Sequence, residues 1–342
     1  MPSKDPGLPN IEDVARAAGV STATVSRALN NPDAVREALR QRVTDAVARL
    51  GYVPHAGARA LKLQRSGTVG AIFPTIDNAI FAQAIDALQR RLAEAGMQLL
   101  IATSGYDSQT EMRQATNLVA RGVEGLALCG VGQRPELLQF LRQRELPTVH
   151  AMIWPGPPDA VCVGFDNARA IAQAVRYLLD LGHRRIAMLA GVTRGNDRAA
   201  ARAVGVRGAL KQAGLELAPR YFVERRYDLA EAREGLRTLM RARPAPTAIV
   251  CGNDVLAFGA LLEAQAIGLR VPQDVSIVGF DDLELARHIH PALTTLHVPT
   301  ERMWRAVADR LVAAIERRSV PPPIEVEVEL VVRESTGPAP GV

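Results

Sequence analysis

The sequence predicts an α/β protein: a small all-helical head at the N-terminus and a two-lobed body built on parallel sheets. Three observations carry that expectation. The first fifty or so residues show only helical spacing of apolar positions. From Thr68 onward short apolar runs alternate with amphipathic helices, the pattern of parallel strands covered on both faces. A break rich in Pro and Gly, Trp154-Pro155-Gly156-Pro157-Pro158, then interrupts the alternation before it starts again. Two similar lobes are therefore expected. The length of 342 residues suits two or three domains at ~100–200 residues each.

The head comes first. Asn10 is a good N-cap, and Glu12 and Asp13 follow in the first turn, where the helix dipole favours acids. Ile11, Val14, Ala15 and Ala18 form one apolar face. Gly19 stands where that helix must end, because glycine tolerates positive φ. Ser21 caps a second helix with Val25 and Leu29 as its apolar positions, and a third carries Val43, Ala46, Val47 and Leu50 before Gly51. Two short helices joined by a Gly-containing turn form a helix-turn-helix, whose second helix enters the DNA major groove. The candidate DNA-contacting residues are Ser21, Thr22, Ala23, Thr24, Ser26 and Arg27. Arg27 suits bidentate contact with guanine, worth ~1–3 kcal/mol of discrimination. Thr22 and Ala23 suit a phosphate or a thymine methyl. A structural helical bundle with solvated polar faces is the alternative.

Charge bears on that choice. Residues 1–65 hold ten Lys and Arg against six Asp and Glu, while the remainder hold 31 against 30. A basic end on a nearly neutral body points to nucleic acid, and a basic tail without a partner is the plainer reading. Only three of the 41 basic residues are Lys, so abundance of Arg carries little information by itself.

In the body, the first set of expected strands is TVGAIF, MQLLIA, GLALC and PTVHA. Helices are expected over Phe81–Ala95, Met112–Arg121 and Leu137–Arg142. The second set is AVCVGF, RIAMLA, TAIVCG and VSIVGF, with helices over Asn167–Leu181, Arg202–Ala213, Leu229–Met240 and Asp254–Ala266. Ligands of such sheets bind beyond the C-terminal strand ends. Polar residues gather there: Asp77 and Asn78, Asp166 and Asn167, Asn196 to Arg198 with Arg202, Asn253 and Asp254, Asp281 and Asp282. Short amides and carboxylates suit a polyhydroxyl ligand. Each could instead do no more than cap the following helix.

The segment GVSTATVSRALNNP closely resembles the DNA-binding head of the LacI family of bacterial transcriptional regulators, and GYVPHAGARALK resembles that family's hinge. The resemblance implies that Leu61 wedges into the minor groove, with Arg59 and Lys62 flanking it and Ala58 as the small neighbour. An apolar wedge of this kind unstacks a base step and kinks the duplex. His55 and Gly57 depart from the family pattern, so a hinge that orders only on DNA is expected. Over residues 65–332, LGHRRIAMLAG, CGNDVLAFGAL, VPQDVSIVGFDD and PALTTL resemble the family's effector domain. By that resemblance the body is periplasmic-binding-protein-like. Arg202 then grips the effector, Asp254 contacts its hydroxyls, Ile80 and Phe81 form a wall, and Tyr227 stacks. Val206 replaces the usual aromatic residue. A late helix over Glu301–Arg317 and a strand near Ile324–Val332 are implied to cross back between the lobes. Arg198 beside Arg202 suits an anion such as a sugar acid, since guanidinium forks pair with carboxylates. The candidate effector-binding residues are Asp77, Ile80, Phe81, Asp166, Asn196, Arg198, Arg202, Tyr227, Asn253, Asp254 and Asp281.

The expected organisation is a head over 8–53, a hinge over 54–64, the body over 65–332 and a tail over 333–342. The tail lacks heptad leucines, so a dimer rather than a tetramer is expected. No signal peptide or membrane span is legible, and Cys129, Cys162 and Cys251 fit buried thiols in a reducing cytoplasm. No phosphate-binding glycine loop, nucleophile elbow or zinc-helix motif occurs. His288 and His290 are too few for a metal site. Neither catalysis, nor a cofactor, nor a metal is expected. The sequence therefore reads as a cytoplasmic, dimeric transcriptional regulator, by expectation a repressor. It would bind near-palindromic double-stranded operator DNA and answer to a sugar-like or sugar-acid effector between its lobes. A transport-type sugar-binding protein without a DNA role is the alternative, and it would carry a signal peptide and no head.

Overall fold

The computed structural model describes residues 9–53 and 65–341. Contacts divide the chain into two compact units, with the division between Ser66 and Gly67. The hinge residues Arg59, Leu61 and Lys62 lie outside the described residues.

The first unit holds helices α1 (Ile11–Ala18), α2 (Thr22–Asn30) and α3 (Glu37–Leu50). Asn10 and Asp13 close a reciprocal capping box on α1. Gly19 ends it at φ 61°, a conformation that costs other residues free energy. Val14, Ala15, Ala18, Val25, Ala28, Val43 and Ala46 form the shared core. Arg42 of α3 fastens the turn by donating to the Ala18 carbonyl at 2.6 Å.

The second unit contains two six-stranded sheets. Lobe 1 holds β1 (Thr68–Phe73), β2 (Gln98–Thr103), β3 (Leu126–Cys129), β4 (Thr148–Ala151), β5 (Val161–Gly164) and β11 (Ile324–Glu325), ordered β11-β5-β4-β3-β1-β2. All its pairings are parallel. Lobe 2 holds β6 (Ile186–Gly191), β7 (Phe222–Arg225), β8 (Ala248–Cys251), β9 (Ser276–Asp281), β10 (Thr294–His297) and β12 (Glu329–Val331), ordered β12-β10-β9-β8-β6-β7. Only β12 runs antiparallel to its neighbour. The central strands β3, β6, β8 and β9 are buried along their whole length, as parallel strands covered on both faces must be.

The helices of this unit are α4 (Ala79–Glu94), α5 (Ser108–Ala120), α6 (Pro135–Gln143), α7 (Asn167–Asp180), α8 (Asp197–Gln212), α9 (Leu229–Met240), α10 (Asp254–Ala266) and α11 (Thr300–Ile315). After β5 the chain enters lobe 2, where α7 packs on α8. The approach is close enough that a Cβ at Gly205 would meet the Ala168 carbonyl oxygen at 2.2 Å. After β10 the chain returns to lobe 1, where α11 packs on α4 and β4, and from β11 it crosses again to β12.

Three expectations need correcting. The run AVCVGF supplies β5 of the first lobe rather than opening the second, because β5 precedes the first crossover. The late strand is two short strands, one in each sheet. The segment read as a tail packs on lobe 2: Ser335 is fully buried and bonds Ile277, while His183 bridges Thr247 and the Gly337 carbonyl.

Candidate functional site

On the head, Ser21 accepts from the Thr24 amide at 3.2 Å, and the two hydroxyls lie 3.0 Å apart. These two candidates therefore build the start of α2. Val25 and Ala28 turn into the core. Thr22, Ala23 and Arg27 are exposed, and Ser26 is half-buried beside them. The helix thus offers a polar face that begins at its N-terminus, the part that reads base edges in helix-turn-helix proteins.

In the body, the C-terminal ends of the strands meet at a cleft between the lobes. It is lined by Asn78, Ile80, Phe81, Tyr106 and Met152 from lobe 1 and Asn196, Arg198, Arg202, Tyr227, Asn253 and Asp281 from lobe 2. Eight of the eleven expected effector-binding residues converge here. Asn78, Asn196 and Asn253 each cap a helix through their side-chain oxygen. Asn196 also turns its amide nitrogen toward the Tyr227 hydroxyl at 3.3 Å. Capping and lining are the same placement seen from two sides.

Arg202 is the most heavily held residue of the cleft. It donates to Asn167 Oδ1 at 3.0 Å and to the Gly252 carbonyl at 2.6 Å, and its guanidinium lies 3.6 Å over the Phe280 ring. Asn167 in turn donates to the Met152 carbonyl of lobe 1 at 3.0 Å, so the arginine is braced from both lobes. Asp281 stands 4.0 Å from Arg202, and its buried Oδ1 has no hydrogen-bond partner. Burial pushes the Asp281 carboxyl up to about 7, against the pull of Arg202. Asp281 and Asp282 adopt φ 116° and 56°, a strained backbone of the kind kept at ligand sites. Arg333 and His297 hold Asp282 at 2.7 and 3.0 Å.

Arg198 is buried as well, and its Nη1 donates to Asp197 Oδ1 at 2.9 Å. The other oxygen of Asp197 accepts from the Val131 amide of lobe 1 at 2.7 Å. Arg198 lies so close to lobe 1 that a Cβ at Gly130 would meet its Nη1 at 2.3 Å. Tyr106 and Tyr227 face each other across the cleft with ring centroids 6.2 Å apart, and burial raises the pKa of both.

Three expected residues do not join the cleft. Asp254 is fully buried and turns away from it: its oxygens accept from Thr295 Oγ1 at 2.6 Å and the Leu283 amide at 2.7 Å. Burial, then the charge of Asp281, raises its pKa well above the carboxylate range. Asp166 spends its side chain on the Ala168 and Arg169 amides at the start of α7. Asp77 is exposed and borders an outer groove with Leu229 and Leu285. Conversely, Tyr106 and Met152 line the cleft without having been expected there, and Asn78 and the bracing Asn167, expected only as polar residues at the strand ends, join them. Among the described residues no three His, Cys, Asp or Glu side chains gather into a metal-holding group. No described helix is long and apolar enough to cross a membrane.

Comparison with known proteins matches this architecture piece by piece. A family model described as bacterial regulatory proteins, lacI family, matches residues 10–55, and one described as a periplasmic binding protein-like domain matches residues 175–336. The HTH-type transcriptional repressor PurR of Shigella sonnei is 32% identical over 337 residues, 97% of this chain and 98% of its own. The lac repressor dimer bound to operator and the anti-inducer ONPF aligns with TM-score 0.83 at 26% identity, covering 96% of this chain and 99% of that one. A complex of the transcriptional regulator CelR with cellobiose aligns with TM-score 0.70 at 31% identity, over 96% and 99% of the two chains.

Proposed function

The chain belongs to the lacI family of bacterial regulatory proteins, a DNA-binding transcriptional regulator with a small-molecule effector, and we propose that its effector is a sugar or sugar derivative held between the two lobes. The observation that carries this reading is the buried Arg202 beside the unpartnered carboxylate oxygen of Asp281. With Nε and Nη1 held by Asn167 and Gly252, Nη2 is fixed beside an open acceptor, an arrangement that suits adjacent hydroxyls, which both give and accept hydrogen bonds. The space between these walls is about 20 Å³, room for about one water. A sugar-sized molecule must therefore part the lobes, and a ligand acts on DNA affinity only by preferring one arrangement.

Thr22, Ala23, Ser26 and Arg27 are assigned to base and phosphate contact, with Ser21 and Thr24 shaping the helix start. Arg59, Leu61 and Lys62 keep their hinge role as a proposal from resemblance. The protein acts in the cytoplasm as a repressor and without catalysis. Two copies pair through apolar faces on both lobes. Ile76 and Ile101 are 56% and 41% exposed on lobe 1, and Leu229, Leu262 and Leu285 are 45%, 40% and 51% exposed on lobe 2. Pairing by a two-fold axis fixes a near-palindromic site.

The test selects genomic fragments on the purified full-length chain. Recovery of a near-palindromic site whose binding falls steeply with salt supports the DNA reading. Failure to enrich any site under any ligand condition sinks it. Sugars should change affinity for the recovered site ~5–150-fold, and a site indifferent to every sugar removes the effector class alone.

A further inference from the structure

Asp197 stands beside the cleft, between the lining residue Arg198 and Val131 of lobe 1, where it occupies donors that a ligand carboxylate would otherwise take. Its Oδ1 accepts from the Arg198 side chain at 2.9 Å and from the Arg198 amide at 3.0 Å. Its Oδ2 accepts from the Val131 amide at 2.7 Å. It also sits at the first position of α8, where the helix dipole favours a negative charge. These are the donors that an anionic effector would seek: a buried guanidinium, two backbone amides and a helix N-terminus. All are engaged by the chain's own carboxylate.

We propose that Asp197 is a specificity-determining residue, a built-in carboxylate that fills the anion cradle of Arg198 and Val131 and thereby restricts the effector to uncharged polyhydroxyl compounds. This rests on the sugar reading above and decides between the neutral sugar and the sugar acid. The charge balance of the cleft agrees with it. Arg198 is paired with Asp197, and Arg202 faces Asp281 at 4.0 Å. Glu111, whose pKa burial raises, lies within charge range of Arg198 and Asp197 on the lobe 1 side. A third carboxylate would enter a region whose cations are already matched. A like charge placed against these carboxylates disfavours binding; the Arg198 side chain is 8% exposed and that of Asp197 23%, so solvent screens the pair only in part.

The role also explains an arrangement that the sequence left ambiguous. Arg198 beside Arg202 reads as a double anion grip, yet the residue just before Arg198 neutralises it. Because Asp197 reaches Val131 of lobe 1 from α8 of lobe 2, it also bridges the lobes. The same side chain that excludes an acid therefore steadies the cleft.

The test uses the full-length protein with D-glucose, D-galactose and cellobiose against D-gluconate and D-galacturonate, at pH 8 and constant ionic strength. Binding is read by titration calorimetry and thermal melting. The wild type should bind a neutral sugar and bind its acid counterpart at least about tenfold more weakly. Asp197→Ala should narrow or reverse that ratio, and Asp197→Asn, which keeps the shape but not the charge, should fall between. Acetate replacing chloride should raise the melting temperature of Asp197→Ala and leave the wild type unmoved. Equal wild-type affinity for acid and neutral sugar, or an Asp197→Ala protein indifferent to acetate, overturns the proposal. If no sugar and no acid binds either protein while acetate still distinguishes them, the sugar reading falls and the filled cradle stands.

Discussion

Arg27 and Arg202 are the same side chain put to opposite uses. Arg27 projects from α2 into solvent on a unit whose core is small and local. Arg202 is 5% exposed, with its fork committed to Asn167 and the Gly252 carbonyl and its plane laid on Phe280. An exposed arginine contributes little to folding, because its charge is well solvated in the unfolded chain too. A buried one is part of the structure, and removing it leaves other polar groups without partners. The difference separates a surface that can change its target without changing its fold from a cleft in which recognition and stability share the same atoms.

The largest expected effect follows from that sharing. Arg202→Ala strips a donor from the Gly252 carbonyl and from Asn167, and it leaves Asp281 buried without its cation. A loss of ~3–5 kcal/mol is expected, which lowers the melting temperature of the body by roughly 10 °C or more. Arg202→Lys should recover little, since an ammonium cannot reproduce the planar fork. Calorimetric melting checks both. A lysine variant that melts like the wild type would break the comparison.

Next comes Asp281→Asn. The folded-state pKa of Asp281 is raised to about 7 from an ordinary 3.8. The folded chain therefore holds a proton that the unfolded chain has already released. Its contribution to stability is fully present below pH 4 or so and is lost as pH rises to about 7. Asparagine does not titrate, so the stability of the variant relative to the wild type should rise between pH 5 and pH 8, by roughly 2–4 kcal/mol. Its effector response should fall at the same time, because one of the two carboxylate oxygens becomes a donor amide and the charge is lost. A difference that stays flat between pH 5 and pH 8 would show that Asp281 does not titrate in this window.

The same contrast governs what the sequence made legible. In the head, each feature is local: the Asn10 cap, the left-handed Gly19 and the spacing of Val14 and Ala18 lie within a turn or two of one another. What stayed hidden there was the reach of Arg42 back to Ala18, across 24 residues. In the body, alternation made the two-lobed parallel architecture legible, and strand ends located the cleft. Which sheet each strand joins was not legible, since an apolar parallel strand carries no address; β5 was misplaced for that reason. Asp254 follows β8 and Asp281 ends β9, and the apolar runs before them do not say which carboxylate faces the cleft. Gly279 makes the difference: a Cβ there would lie 2.2 Å from Asp254 Oδ1, so its absence lets that carboxylate fold inward to Thr295. Tyr106 and Met152 reach the cleft from positions at φ 61° and 66°, conformations that no spacing rule announces for non-glycine residues.

The head should respond more gently and in separable ways. Arg27→Ala removes no intramolecular support, so melting should be unchanged while discrimination at one base pair falls by ~1–3 kcal/mol. Selection of binding sites from a randomised pool reads this directly, and an unrelaxed consensus would take Arg27 out of the readout. Ser21→Ala acts on the same helix by the other route. It deletes the acceptor of the Thr24 amide and the partner of the Thr24 hydroxyl. A cap of this kind is worth ~1 kcal/mol. The head should therefore lose that much stability, and its DNA affinity should fall evenly across sequences rather than at one position. The pair of variants separates shape from reading: a Ser21→Ala protein that relaxed a single base position would mean that the serine touches DNA as well as capping the helix.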